Sequence, residues 1–288
     1  MAELKYKMTR DTLFKIFFVQ NKDLLKDLIS QVLNIKVEDI TTFKINNPRI
    51  TAKELGGKHC VLDILMEVND KLVNLEVQAK DEKDYPARSL FYWARCYSSA
   101  LFEGDKNYNA LPRTIVINIV DFELFEDTKD FHSEFRALEV TRHTELTDKM
   151  SLHYFELKKL PEVTESDAGN VLKLWLALFH AETDEEMAKI AKLGGKTMEQ
   201  AVAAYKNVVR SKRFKDAERR RERARLDELA ALHNARNEGR AEGITQGKAE
   251  IVLNMHDAGF SLADIVRVSK ISEPEVKNIL NSKHGNTT

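Results

Sequence analysis

Val61-Leu62-Asp63-Ile64-Leu65-Met66-Glu67-Val68-Asn69-Asp70-Lys71-Leu72-Val73-Asn74-Leu75-Glu76-Val77-Gln78 decides the fold, because two runs of alternating apolar and polar residues meet at the pair Asn69-Asp70. Asn and Asp tolerate the positive φ that a two-residue primed turn demands, so the stretch predicts a β-hairpin. With Val68 facing Lys71, the numbers of facing residues sum to 139, and Asp63 comes opposite Glu76. The same register sorts the faces. Leu62, Ile64, Met66, Val68, Val73, Leu75 and Val77 point one way, and Asp63, Asn74, Glu76 and Gln78 the other. One face is core; the other is a site candidate.

Two carboxylates facing each other on a sheet destabilise it unless a cation offsets them. A divalent metal does so. Magnesium takes oxygen ligands and keeps several waters, so Asp63, Glu76 and the carbonyl of Val77 are a sufficient protein contribution. The alternation fits equally two solvated carboxylates on the wet face of a sheet.

Outward from the hairpin, Leu13, Phe14, Phe17 and Phe18, then Leu24, Leu25, Leu28, Ile29, Val32 and Leu33, recur at helical intervals. They predict two amphipathic helices broken near Asn21. A period of two runs from Ile40 to Gln78, punctuated by Gly56-Gly57, and a helical pattern returns from Tyr85 to Phe102. Aromatics at helical spacing are usually core, so Phe14, Phe17, Phe91 and Trp93 are expected inside. Arg113–Val120 is a mostly apolar run of strand length, and Phe135–Val140 and Leu152–Leu157 are further strand patterns. Pro161 closes this mixed region, which puts a domain edge near residue 162.

Beyond it, helix is expected from Asp167 to about Arg240, followed by glycines at 239, 243 and 247. Each interior glycine costs a helix about 1 kcal/mol, so the ladder marks either the close approach of a partner helix or a hinge. Gly259 is a helix stop, Ser261 an N-cap, and Ser272-Glu273-Pro274-Glu275 another helix start. Such a tail suits a helix-turn-helix or a module for self-association. The expected fold is therefore α/β, a mixed central sheet flanked by helices over residues 1–162, followed by an all-helical C-terminal region. That region divides into 163–246, with the glycine ladder, and a small helical module, 247–283.

The 288 residues are 43% hydrophobic and 32% charged, a globular composition, and 46 acidic against 45 basic residues leave no global field to draw nucleic acid or lipid. The charged start Met1–Lys7, and the shortness of the apolar stretch Val171–Phe179, which also carries Lys173, predict neither export nor a membrane span. A cytoplasmic setting is expected. Cys60 and Cys96 form no CxxC pair and are read as small buried hydrophobes. The histidines, at 59, 132, 143, 153, 180, 233, 256 and 284, do not fall at zinc-ligand spacing. No glycine-rich phosphate loop or Ser-His-Asp ordering points to a small-molecule enzyme.

Asp63 followed by Glu76-Val77-Gln78 on the next strand resembles the PD-(D/E)XK nuclease superfamily, and specifically its Rpn-type recombination-promoting nuclease/transposase family. Other segments carry the likeness in order. Asp11-Thr12-Leu13-Phe14-Lys15-Ile16-Phe17 matches that family's opening D-x-x-F-K-x-x-F pattern, and Lys58 precedes Asp63 as its lysine usually does. Arg88–Trp93, Gly104–Tyr108, Leu111–Ile117 and Leu152–Leu157 also fit, so the resemblance covers about residues 8 to 160.

The resemblance implies a restriction-endonuclease-like core, with Asp63 and Glu76 as ligands of Mg²⁺ or Mn²⁺, and Gln78 in the slot that holds lysine in most of the superfamily. A lysine there holds the attacking water and offsets charge on the phosphorane, whereas glutamine orients by hydrogen bonds and adds no charge. Lys80 and Lys58 are candidates for the missing charge. The implied reaction is metal-dependent endonucleolytic hydrolysis of DNA, in recombination, mobile-element or defence biology. The competing reading is an inactive nuclease fold kept as a DNA-binding or protein-interaction module. Asp11 is a candidate for reaching the site through an outer-shell water, and Lys15, Arg88 and Tyr92 for holding the DNA backbone; each suits a surface or packing role as well.

The basic concentration lies between Arg210 and Arg225, with nine cationic residues against Asp216, Glu218 and Glu222. Arg213, Arg220 and Arg221 are its candidate phosphate contacts. A solvated helix pairing Glu218 with Arg221 and Glu222 with Arg225 accounts for the same pattern. In the Ser272–Leu280 helix only Lys277 and Asn278 suit base reading. A homodimer that cuts both strands is the expected assembly.

Overall fold

The computed structural model describes residues 3–46, 49–50, 60–100 and 107–284. Helices α1 (Asp11–Gln20) and α2 (Lys22–Leu33) come first, then strands β1 (Phe43–Asn46), β2 (Arg49–Ile50), β3 (Cys60–Val61), β4 (Ile64–Val68) and β5 (Lys71–Gln78). Helix α3 (Tyr85–Ser99) is followed by β6 (Arg113–Val120), β7 (His132–Phe135) and β8 (Met150–Glu156). Five helices follow among the described residues: α4 (Val171–His180), α5 (Asp184–Arg210), α6 (Lys212–Asp257), α7 (Leu262–Ser269) and α8 (Glu273–His284). Between α1 and α2 the break falls at Asn21, whose backbone is non-helical and whose side-chain amide donates to the Phe17 carbonyl at 2.7 Å.

The hairpin has the expected register, Val68 facing Lys71 and Ile64 facing Leu75. Asn69 takes the left-handed conformation at φ 54°, and its Oδ1 accepts the N–H groups of Thr41 and Thr42, which ties the turn to the preceding segment. Six strands form one mixed sheet in the order β1-β4-β5-β6-β8-β7. β5, β6 and β8 run parallel, and the remaining pairs in this sheet are antiparallel. Parallel neighbours need a long crossover, which α3 supplies between β5 and β6. β2 and β3 pair separately.

The central strands are covered on both faces, which is why β6 reads as a continuous apolar run. Ile64, Met66, Val68, Val73, Leu75, Val77, Ile115, Ile117 and Ile119 share one core with Phe14, Phe17 and Phe18 of α1, Leu25 and Leu28 of α2, Trp175 and Phe179 of α4, and Met198 and Tyr205 of α5. The opposite face packs on α3 in two smaller clusters, one of Leu62, Leu65, Leu72 and Cys96 with Tyr92, the other of Tyr85, Val116, Val120, Leu152 and Tyr154 with Trp93. Leu62 thus departs from the face predicted for it. A bend at Asp63 precedes β4, so strict alternation stops there. Phe91, expected in the core, is 44% exposed, because α3 covers the sheet with its other side; Trp93 is half-buried and donates its indole N–H to the Thr114 carbonyl.

Two further expectations shift. Strand β7 ends at Phe135, where the sequence reading begins it, and residues 136–146 fold back on themselves through the single bridge Leu138–Glu145. Their apolar residues Val140 and Leu146 are exposed, so alternation alone did not secure a sheet partner. The expected domain edge near 162 falls inside a compact unit that extends to Glu218. The reason is the apolar face of α4 and α5, with Leu174, Leu178, Met187, Ile190 and Val208 buried beside the residues above. Within α5, Gly195 adopts φ 55° and kinks the helix. The adjacent Gly194 has no room for a side chain, since a Cβ there would lie 2.1 Å from Met198 Cγ.

The second unit, from Arg219, contains the rest of α6 with α7 and α8. Val252, Ile265, Ile271 and Val276 form its small core. Ser261 caps α7 by accepting the Asp264 N–H, and Gly259 at φ 85° ends the preceding turn. Helix α6 passes through Gly239, Gly243 and Gly247 unbroken, and a Cβ at any of the three would meet nothing within 4 Å among the described residues. Among the described residues, no other helix packs closely against the ladder.

Candidate active site

The polar face of the hairpin ends at the C-terminal end of β5, the edge at which α/β sheets commonly bind ligands. Asp63 precedes β4 and meets Glu76 in a reciprocal clasp. Asp63 donates its N–H to Glu76 Oε1 at 3.1 Å, and Val77 donates its N–H to Asp63 Oδ2 at 2.9 Å. The two carboxylates are thereby fixed side by side. Glu76 Oε1 also accepts the Asn74 side-chain amide at 2.8 Å. Both Glu76 and Asn74 are buried.

Lys15 of α1 enters the same site. Its Nζ lies 2.9 Å from Asp63 Oδ1 and 2.6 Å from Asp11 Oδ1. The aromatic residues of α1 fix that helix on the sheet, so the lysine approaches from a rigid element. Burial pushes both carboxyls above their usual range; Glu76 is driven further by Asp63, while Asp63 is pulled back by Lys15. The Lys15 ammonium is held above its ordinary range by Asp63 and Asp11, against the effect of burial. Behind the carboxylates, Tyr85 donates its hydroxyl to Asn118 Oδ1 at 3.0 Å, and Asn118 faces Glu76 in the β5–β6 register. Burial, then Glu76 and Asp63, raise the Tyr85 hydroxyl well above its ordinary range, so it remains a neutral donor.

Gln78, in the slot that holds lysine in most of the superfamily, is partly exposed and donates its amide to the Lys80 carbonyl at 2.9 Å. Lys80 lies in the bend after β5 with its side chain exposed, and among the described residues no ion pair joins it to Asp63 or Glu76. Lys58 lies outside the described residues. Arg88 is engaged by Glu82 and stacks over the Tyr85 ring at 4.9 Å, which keeps it beside the site. Tyr92 packs against the Leu62, Leu65, Leu72 and Cys96 cluster. Arg213 is exposed in the first unit, and Arg220 and Arg221 are exposed in the second. Glu222 pairs with Arg225 at 2.6 Å as the helical spacing predicts, but Glu218 is buried against Arg10.

The donor set suits a hard divalent cation. Two carboxylates offer oxygen, and Asn74 Oδ1 is a buried acceptor without a hydrogen-bond partner among the described residues. The Val77 N–H points at Asp63, and in an extended strand a residue's carbonyl leaves toward the same edge. No cluster of three or more His, Cys, Asp or Glu side chains at metal-binding spacing occurs among the described residues. A cation held here would have Asp63 and Glu76 as its side-chain carboxylates, with backbone, water or phosphate oxygens left to complete its shell.

Several contributors had weaker signals. Asn118 is the polar interruption of an apolar strand, and a buried polar residue must find partners. Asp121, just past β6, donates its N–H to the Gln78 carbonyl and gathers Lys7, Lys158 and His180 within 3.8 Å. Only folding reveals that cluster.

A mixed sheet with a parallel centre, helices on both faces and paired carboxylates at the C-terminal end of one hairpin strand defines a nuclease-type fold of the PD-(D/E)XK class. The family described as PD-(D/E)XK nuclease family transposase matches residues 8–235, and the chain belongs to it. The match starts where the sequence likeness does and extends beyond residue 160 through α4 and α5, in keeping with their share of the core. No curated protein and no solved structure matches. No described helix is long and apolar enough to cross a membrane.

Proposed function

We propose that the chain is a divalent-metal-dependent DNA endonuclease that hydrolyses phosphodiester bonds, with Mg²⁺ or Mn²⁺ as the ion, and that it serves recombination, mobile-element or defence biology. The observation that carries this reading is the clasp of Asp63 and Glu76, two carboxylates held by the backbone N–H groups of Val77 and Asp63 in a chain of this family. Asp63 and Glu76 would hold the ion, with the Val77 carbonyl on the same edge. When bound, such an ion would lower the pKa of a coordinated water and offset the negative charge that develops on the phosphoryl oxygens. The protein's share is orientation. The clasp fixes both carboxylates against rotation, Asn74 sets the angle of Glu76, and Tyr85 and Asn118 form a neutral floor behind them. Gln78, with its amide on the Lys80 carbonyl, shapes the rim without adding charge.

The test is conversion of supercoiled plasmid to nicked and linear forms with Mg²⁺ or Mn²⁺, for the wild type, Asp63→Ala and Glu76→Gln. Wild-type conversion abolished by EDTA, and slower by on the order of 10²–10³ in either variant, is expected. Equal conversion by all three proteins would refute the assignment of the site. DNA binding without any conversion would favour a non-catalytic DNA-binding module.

A further inference from the structure

Two carboxylates held this close are stabilised as anions by positive charge beside them even before a metal arrives. Strand β5 does not supply it: the Gln78 amide is spent on a backbone carbonyl, and Lys80 is exposed past the strand end. Helix α1 does. Lys15 Nζ reaches Asp63 Oδ1 at 2.9 Å and is steadied from below by Asp11, one helical turn earlier, at 2.6 Å. The helix is held to the sheet by Leu13, Phe14, Phe17 and Phe18, all fully buried, so the position of this ammonium is set by the core rather than by a flexible loop. Its side chain remains about one-third exposed.

Resting on the nuclease reading above, we propose that Lys15 is the working lysine of this site, delivered from helix α1 in place of a lysine at position 78. In the metal-free protein it is the counter-ion of Asp63. With metal and DNA in place it stays within reach of Asp63 and offers its N–H groups to a nonbridging oxygen of the scissile phosphate. Asp11 is its positioning residue, holding the ammonium on the side facing Asp63. Two consequences follow. Lys15 and the metal compete electrostatically for Asp63, so removing the lysine tightens metal binding while slowing cleavage. A lysine introduced at position 78 should recover part of the lost rate, because it restores the charge from the neighbouring strand.

The experiment compares wild type, Lys15→Gln, Lys15→Arg and the double variant Lys15→Gln/Gln78→Lys in the full chain. Plasmid cleavage gives kcat and KM, and calorimetric titration with Mn²⁺ alone gives metal affinity. For Lys15→Gln the expected result is kcat lower by about 100-fold with KM within about threefold, and Mn²⁺ bound about tenfold more tightly. The double variant is expected to regain at least about tenfold in kcat. Cleavage by Lys15→Gln within about threefold of wild type, or Mn²⁺ affinity equal to or weaker than wild type, overturns the proposal. If the wild type does not cleave at all, the nuclease reading fails, and the Mn²⁺ titration still decides the role of Lys15 by the same criterion. Should Lys15→Gln fail to fold, Lys15→Arg carries the test. Its charge is kept but its planar head cannot take the same position, so near wild-type Mn²⁺ affinity with cleavage at least about tenfold slower is expected, and unchanged cleavage overturns the proposal.

Discussion

Ending the chain at residue 162, where the sequence pattern puts a domain edge, should abolish folding, while ending it after Ala235 should not. The magnitude follows from the core. Removing residues 163–288 takes away Leu174, Trp175, Leu178, Phe179, Met187, Ile190, Met198 and Tyr205, all buried in the core they share with α1, α2 and the sheet. At roughly 2 kcal/mol for each large apolar side chain, these eight represent about 16 kcal/mol of burial. That is at or beyond the whole stability of an ordinary domain, about 5–15 kcal/mol. The loss also strips Phe14 and Phe18, which meet each other edge-on within α1, of their ring contacts with Phe179, and Phe18 of its contact with Trp175. Urea denaturation followed by circular dichroism is the assay. A fragment 1–162 that unfolds cooperatively with a stability near that of the full chain would refute this account of the core. Fragment 1–235 retains Phe214 and the Arg10–Glu218 pair and should unfold like the first unit of the intact protein.

Two further outcomes test the electrostatics. His153 is buried on β8, hydrogen-bonded to Ser151 at 2.9 Å and to His132 at 3.1 Å, and burial pushes its imidazole down to about 4 from an ordinary 6.5. The unfolded chain therefore binds this proton more readily, so the histidine's contribution is intact above pH 6.5 and is lost as pH falls toward 4. Urea midpoints should decline across that window and decline less in His153→Gln; identical pH profiles would remove His153 as the cause. Saturating Mn²⁺ at about 100 times its dissociation constant should add about 2.7 kcal/mol, raising the melting temperature by about 5–10 °C. That shift should vanish in Asp63→Ala, and a variant that keeps it would move the metal elsewhere.

Much of the site was legible because it is local. Strict alternation and the Asn69-Asp70 turn set the hairpin register from Val68–Lys71 to Ile64–Leu75, and just beyond it the bend at Asp63 brings the Asp63 carboxylate to Glu76. The same period failed at Leu62, where the chain bends, and at residues 136–140, where no neighbouring strand was present to use the pattern. Face assignment on α3 also failed for Phe91, since helical spacing shows that aromatics recur but not which of them meets the sheet.

The sequence by itself determined the order of strands and helices, the paired carboxylates and the absence of a charged residue at position 78. It did so because backbone periodicity and turn chemistry act between near neighbours. Only the tertiary structure decided that α4 and α5 complete the core, that Glu218 answers to Arg10, and that Lys15 stands against Asp63. Those pairings join segments distant in the chain. They are fixed by how apolar helix faces settle on the sheet, and no local period encodes which polar groups that settling brings within reach.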